Sequence, residues 1–166
     1  MTWKEKTATE VIFDSRVDPF NDSVFAERLL HQEDVAVIAC TTDGDVFGVS
    51  WHVALHSVGV MFKDPTAFLF SFESHGRCAT PQRFNAKTRF QNTLCVALMD
   101  DDPRGFLMLC VPRQCSLVLG KESSTSYCHG LSYGFEGVED ETLTGKDGTV
   151  HGPFHHCNRL VAVRFS

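Results

Sequence analysis

The densest group of side chains able to do chemistry lies late in the chain. In "YCHGLSYG" and "VHGPFHHCNR", Cys128, His129, His151, His155, His156 and Cys157 offer soft and borderline metal ligands. A zinc ion would need four of them to converge at about 2.0–2.3 Å. The spacing argues against a standard finger: there is no C-x-x-C pair, and Gly152-Pro153 keeps His151 and His155 off a common helix. They read as loop histidines, and no metal or other cofactor is expected.

A redox thiol would need an exposed cysteine with a lowered pKa. Cys78, beside Arg77 in "SHGRCATPQR", has polar, loop-like flanks, and Cys128 beside His129 comes second. Nucleophilic catalysis would need a Cys or Ser beside a positioned base, yet there is no G-x-S-x-G elbow and no local signature around Cys95, Cys115 or Cys128. "LGKESSTS" is not a phosphate loop either, because Cys115 stands five before Gly120 and Glu122 occupies the magnesium-binding Ser/Thr position. The acidic runs Asp100, Asp101, Asp102 and Glu139, Asp140, Glu141 lack the alternating ligands of a calcium loop. They read as solvated turns that can rim a protein interface facing a basic partner. An enzyme is therefore not expected, and a thiol- or metal-dependent antioxidant activity ranks third among the readings.

The elements that must hold these residues are mostly strands. "DVAVIACT" is almost continuously apolar, and after it Phe47, Val49, Trp51 and Val53 alternate with Gly48, Ser50, His52 and Ala54. Asp43-Gly44 between the two runs predicts a tight hairpin turn. Gly48 inside the second strand predicts a place where another backbone or a ring lies close, with Phe62 or the Phe68/Phe70/Phe72 row as the filler. "AFLFSFES", "LCVALMD", "GFLMLCVP", "CSLVLG" and "RLVAVRF" continue the pattern, with "HSVGVMF" and "GLSYGFEG" as weaker members. About eight or nine strands in hairpin rhythm, without interleaved helices, predict a mostly β, two-sheet antiparallel sandwich. The bulky residues around Phe47 and the Phe68–Phe72 row are expected to close the two sheets face to face. One helix is expected, entered at Asn21 or Asp22, with Val24, Phe25 and Leu29 on one face.

The 166 residues suit one domain, 1–166, standing alone or as one domain of a longer protein, and able to bury a core without staples. A net charge of -6 gives no blanket attraction to nucleic acid or anionic membranes. The rival reading, a stress-responsive nucleic-acid-binding regulatory domain, would rest on Arg77, Arg83, Lys87 and Arg89 with Phe84 and Phe90 interleaved. The seven cysteines are odd in number and irregular in spacing, and Cys40, Cys95 and Cys110 lie in apolar runs, as expected of buried, reduced thiols in an intracellular protein. No apolar run approaches a bilayer span, and "MTWKEKTATE" lacks the apolar centre of a signal peptide.

In order along the chain, Ser15 and Asp18, Leu29 and Leu30, then Asp43, Gly44, Val46, Phe47 and Gly48, then Phe68, Phe70 and Phe72, then "SLVLG" ending at Gly120, resemble the TLDc domain of eukaryotic oxidation-resistance proteins. The resemblance implies a two-sheet β-sandwich with one or two short flanking helices and a role in protection against oxidative damage. It also implies, as for several family members, binding to the V-type proton ATPase, with no agreed catalytic site. The chain departs from the family after the late strand, where "GKESSTSYCHGLSYGFEG" replaces a glycine-rich run. It departs again at the last strand, where Ala162 or Val163 stands near an expected glutamate. On this reading a non-catalytic interaction domain docks through a sheet edge or through the polar loops Arg77 to Asn92 and Tyr127 to Asp147.

Overall fold

The computed structural model describes residues 7–99, 106–120, 126–149, 152–153 and 155–166. One sheet has six strands in the order β1 (Ala8–Asp14), β11 (Cys157–Phe165), β2 (Val35–Thr41), β3 (Val46–Trp51), β5 (Phe68–Glu73) and β6 (Gln82–Asn85). The other has five, in the order β10 (Tyr127–Cys128), β9 (Gln114–Leu119), β8 (Leu107–Val111), β7 (Cys95–Leu98) and β4 (Phe62–Lys63). Every pairing is antiparallel. The chain is a mostly β, two-sheet sandwich, as expected.

The core between the sheets is built by strand alternation. Phe47, Val49 and Trp51 of β3 and Leu69 of β5 share one cluster with Val96, Leu98, Leu107, Leu109, Leu117 and Leu119 from the opposite sheet. Helix α1 (Asp22–Leu29) begins where the Asn21 side chain accepts the Val24 N–H at 2.9 Å, satisfying one exposed amide of the first turn. It buries Phe25, Ala26 and Leu29, and the Phe25 ring meets Phe13 edge-on at 5.0 Å and Phe106 at 4.6 Å.

The phenylalanine row lies elsewhere than expected. Phe68 and Phe70 form a separate cluster with Ala36, flanked by Ile38, Val163 and Phe165, on the outer face of the six-stranded sheet. Phe72, in the same row, is 43% exposed. Successive strand residues point to opposite faces, so once Leu69 enters the core its two neighbours must leave it. The outer face is also where Gly48 sits, paired with Ile38 on one side and Phe70 on the other. A Cβ at Gly48 would stand 2.0 Å from the Val37 carbonyl oxygen and 2.5 Å from Phe70 Cζ, so the ring and the neighbouring backbone occupy the missing side chain's place.

Local differences follow from turn chemistry. The β2–β3 connection is a three-residue loop, not a two-residue turn: Thr41 N–H bonds Asp45 O at 2.9 Å, and Gly44 at φ +92° supplies the left-handed residue. "GLSYGFEG" is not a strand; after Gly130 at φ 52° the chain makes the single turn α2 (Leu131–Gly134). Of "HSVGVMF" only Phe62 and Lys63 join a sheet. The stretch Arg77 to Asn92 is less loop than expected, since it contains β6 and most of the 3-10 helix Thr88–Thr93. The turn-like "DDPRG" lies outside the described residues. Finally, Cys110 and Cys115 are joined in a disulfide, against the expectation of thiols throughout, because the β8–β9 hairpin places them opposite one another. Cys40, Cys78, Cys95, Cys128 and Cys157 are free. No helix among the described residues is long and apolar enough to cross a membrane.

Candidate functional site

Two segments distant in sequence, 77–92 and 127–147, are joined into one surface. Their anchor is Asp45, which the β2–β3 loop delivers in a 2% exposed position. A carboxylate so buried needs partners. Arg77 Nη2 donates to Asp45 Oδ1, and His75 Nδ1 lies 2.9 Å from the same oxygen. The same guanidinium reaches the other segment, with Nε donating to Thr142 O at 3.0 Å and Nη2 to Leu143 O at 3.1 Å. Lys146 pairs with Asp43 of the hairpin loop at 3.8 Å, and Gly44 lies against the His75 ring.

Further along, backbone bonds stitch the two segments edge to edge. Lys87 N–H donates to Gly134 O and Glu136 N–H to Asn85 O, each at 2.9 Å, with a bridge between Ala86 and Phe135. This seam holds a small platform: the Phe90 and Tyr133 rings stand 4.9 Å apart, and the Arg89 guanidinium lies 4.5 Å from the first and 5.2 Å from the second. Tyr133 is 38% exposed, Arg89 is exposed, and Glu136, Glu139 and Glu141 are exposed beyond it. Phe90, 8% exposed, backs the exposed Tyr133 and Arg89, and this cation-aromatic pair has the chemistry of a protein-recognition patch.

The basic-aromatic strip does not form. Phe84 is fully buried and Phe90 is 8% exposed, so the rings that would stack on bases are packed into the core. Arg77 is committed to Asp45, and Arg83 lies 3.7 Å over Phe68 on the outer sheet face while bonding Asn85 Oδ1 at 2.6 Å. Burial there lowers the Arg83 pKa. Lys87 and Arg89 flank the platform instead.

Neither candidate thiol is a freely exposed one. Cys78 is half-buried against the core, with its N–H donating to Ser74 Oγ at 3.1 Å and its Sγ 3.2 Å from that oxygen. Cys128 is 1% exposed within the core, and burial pushes its thiol well above the ordinary range, with Cys157, Asp45 and Asp147 adding to the effect. That corrects its reading as an accessible redox cysteine. The histidines and cysteines nearby are dispersed as well: His129 bonds Asp147 at 3.1 Å, Cys157 is buried with its thiol pushed up to about 12 by burial, and His155 packs edge-on against Phe47 at 5.3 Å. Among the described residues no group of three or more His, Cys, Asp or Glu could hold a metal, and His151 lies outside them.

His155 carries a consequence for pH. It is 2% exposed, and Nε2 has no hydrogen-bond partner among the described residues. Burial, followed by the nearby Lys146 charge, lowers its pKa to about 4 from 6.5. Between those values the unfolded chain binds a proton that the folded chain refuses, so stability is complete above 6.5 and falls as pH drops towards 4. The wild type should lose about 2 kcal/mol more than His155→Leu between pH 7 and pH 5, read from urea unfolding midpoints. Parallel pH profiles for the two proteins would contradict this.

The remaining motif residues are structural joints. Ser15 Oγ accepts the Leu160 N–H at 2.9 Å, tying the end of β1 to β11, and Asp18 Oδ2 accepts the Asp14 N–H at 2.9 Å. Asp14 in turn receives Arg159 through both oxygens, at 3.1 and 2.5 Å. Gly120, at the end of β9, donates its N–H to Ser126 Oγ at 3.0 Å. A sequence model of the TLDc domain matches residues 1–150. The chain belongs to the TLDc family. Membership supports a domain connected with oxidative stress. A search of curated proteins returns no match. In this TLDc domain β11 lies beyond the matched residues, yet it occupies the second position of the six-stranded sheet. Asp45 and its partners were missed from sequence; the available signal was a single acid at the start of an apolar strand, which must find a cation once buried. The cysteine pair was missed too, although five residues spanning Pro112-Arg113 is a hairpin spacing.

Proposed function

We propose that this TLDc domain is a non-catalytic protein-interaction module in oxidative-stress protection and that it docks on the V-type proton ATPase. Family membership supports the pathway. The observation that carries the docking surface is the Arg89–Phe90–Tyr133 platform, held rigid by the Lys87–Gly134 and Glu136–Asn85 backbone bonds and anchored through Arg77 and Asp45. Tyrosine supplies large planar contact area with little side-chain entropy to lose, arginine adds a planar cation, and the exposed glutamates of the 127–147 segment suit a basic partner surface.

Purified domain titrated against purified V-type ATPase is the test. Arg89→Glu and Tyr133→Ala are expected to weaken binding about tenfold or more each, with circular dichroism unchanged. Wild-type protein that does not bind at tens of micromolar removes the assigned partner. Binding that survives both substitutions within twofold removes the assigned surface.

A further inference from the structure

Strands β7, β8 and β9 lay three cysteines side by side. Cys95 is paired with Cys110, and Cys110 with Cys115. Directly opposed residues of antiparallel strands share a face, and neighbouring strands run about 4.8 Å apart. The result is a row of sulfurs across the outer face of the five-stranded sheet. Cys110 and Cys115 form the disulfide, while Cys95 is a half-buried free thiol whose Sγ donates to Thr93 O at 3.3 Å. The row lines a cavity of about 510 Å³ together with Met61, Met108 and Arg113, so small reagents reach the half-buried Cys95 and Cys115, while Cys110 between them is 5% exposed.

Cations stand at both ends of the row. Lys63 of β4 is the register partner of Cys95, and Arg113 sits in the β8–β9 turn two residues before Cys115. Burial raises the Cys95 thiol and the Lys63 charge opposes it, which keeps Cys95 protonated at rest with a nearby charge to receive its thiolate. Exchange between a thiolate and a disulfide is substitution at sulfur, with the nucleophile and the leaving group on opposite sides of the attacked atom. The strand order puts β8 between β7 and β9, so Cys95 and Cys115 approach Cys110 from opposite sides.

We propose that Cys95, Cys110 and Cys115 form a thiol–disulfide exchange site in which the disulfide shifts between the β8–β9 and β7–β8 strand pairs. Cys95 releases its proton to water, and its thiolate attacks Cys110 Sγ. The Cys95–Cys110 bond forms, the Cys110–Cys115 bond breaks, and the electron pair leaves on Cys115 Sγ, which takes a proton from water. One disulfide and one thiol are present before and after, so no outside oxidant or reductant is consumed. The step moves the free thiol from β7 to β9, beside Arg113.

The test follows the thiol. Full-length protein purified without reductant is held at pH 8, labelled with N-ethylmaleimide after acid quenching to pH 6, and digested for mass spectrometry without reduction. In molecules carrying one disulfide, label is expected on Cys95 and on Cys115 in separate populations, with peptides linked through Cys110–Cys115 and through Cys95–Cys110. In Cys95→Ser protein, labelling of Cys115 should fall at least tenfold. Label confined to Cys95 overturns the proposal, as does alkylation of all three cysteines in the untreated protein, or labelling of Cys115 that persists in Cys95→Ser. Because the wild-type label pattern decides the matter alone, poor folding of the variant does not leave it open.

Discussion

Gly48→Ala lowers the melting temperature of this domain by about 10 °C or more, and Gly48→Val abolishes cooperative unfolding. The added Cβ meets the Val37 carbonyl oxygen at 2.0 Å, an atom that no rotamer change can move, and Phe70 Cζ at 2.5 Å. Relief requires spreading β2 from β3, which breaks the ladder through Ile38 at the centre of the six-stranded sheet. A destabilisation of about 4 kcal/mol or more follows, in the range of severe steric insertions into a packed site. Pairing Gly48→Ala with Phe70→Ala removes only one of the two collisions and so does not restore stability. Differential scanning calorimetry decides it: a Gly48→Ala protein melting within about 2 °C of wild type would show that the assigned packing is wrong.

The second large effect belongs to Arg77. Its removal leaves the Asp45 carboxylate, 2% exposed, with His75 as its remaining side-chain ion partner, and strips both the Thr142 and Leu143 carbonyls of a donor. Breaking a fully buried charge pair from one side costs about 3–5 kcal/mol; with Arg77 itself 29% exposed and His75 still on Asp45, Arg77→Ala should cost about 2–3 kcal/mol, read from the urea midpoint. Arg77→Lys keeps the charge but loses the planar fork that serves three acceptors at once, and should fall between the two. A loss below about 1 kcal/mol for Arg77→Ala would mean that the clamp is solvated in solution.

Much of the architecture was legible in the sequence because strand alternation and turn residues are local signals. The Asn21 cap, the Gly44 turn and the apolar β2 run each depend on a few neighbouring residues. Which face of a strand looks inward is another matter. In "FLFSFE" both faces are apolar, and only the position of the second sheet decides that Leu69 enters the core and Phe68 and Phe70 do not. The same limit applies to the candidate surface. Arg77 and Asp45 stand 32 residues apart, and Arg77 and Leu143 stand 66 apart, so their meeting depends on the path of the whole chain. Phe84 and Phe90 illustrate the converse: an alternation of basic and aromatic residues looked like a binding strip, but the rings are buried, Arg77 turns to Asp45 and Arg83 lies over Phe68.

The late strand β11 is threaded between β1 and β2, with Leu160 opposite Ala39 on one side and Val163 opposite Val11 on the other. On a ribosome, the first strand therefore waits for nearly the entire domain to be made before it finds its neighbour, and until then β2 exposes an unpaired backbone edge. Closing so long a loop late makes folding slow and leaves nascent chains in need of chaperone cover. Deleting the nine residues of β11, Cys157–Phe165, would split the larger sheet, although every residue matched to the family would still be present.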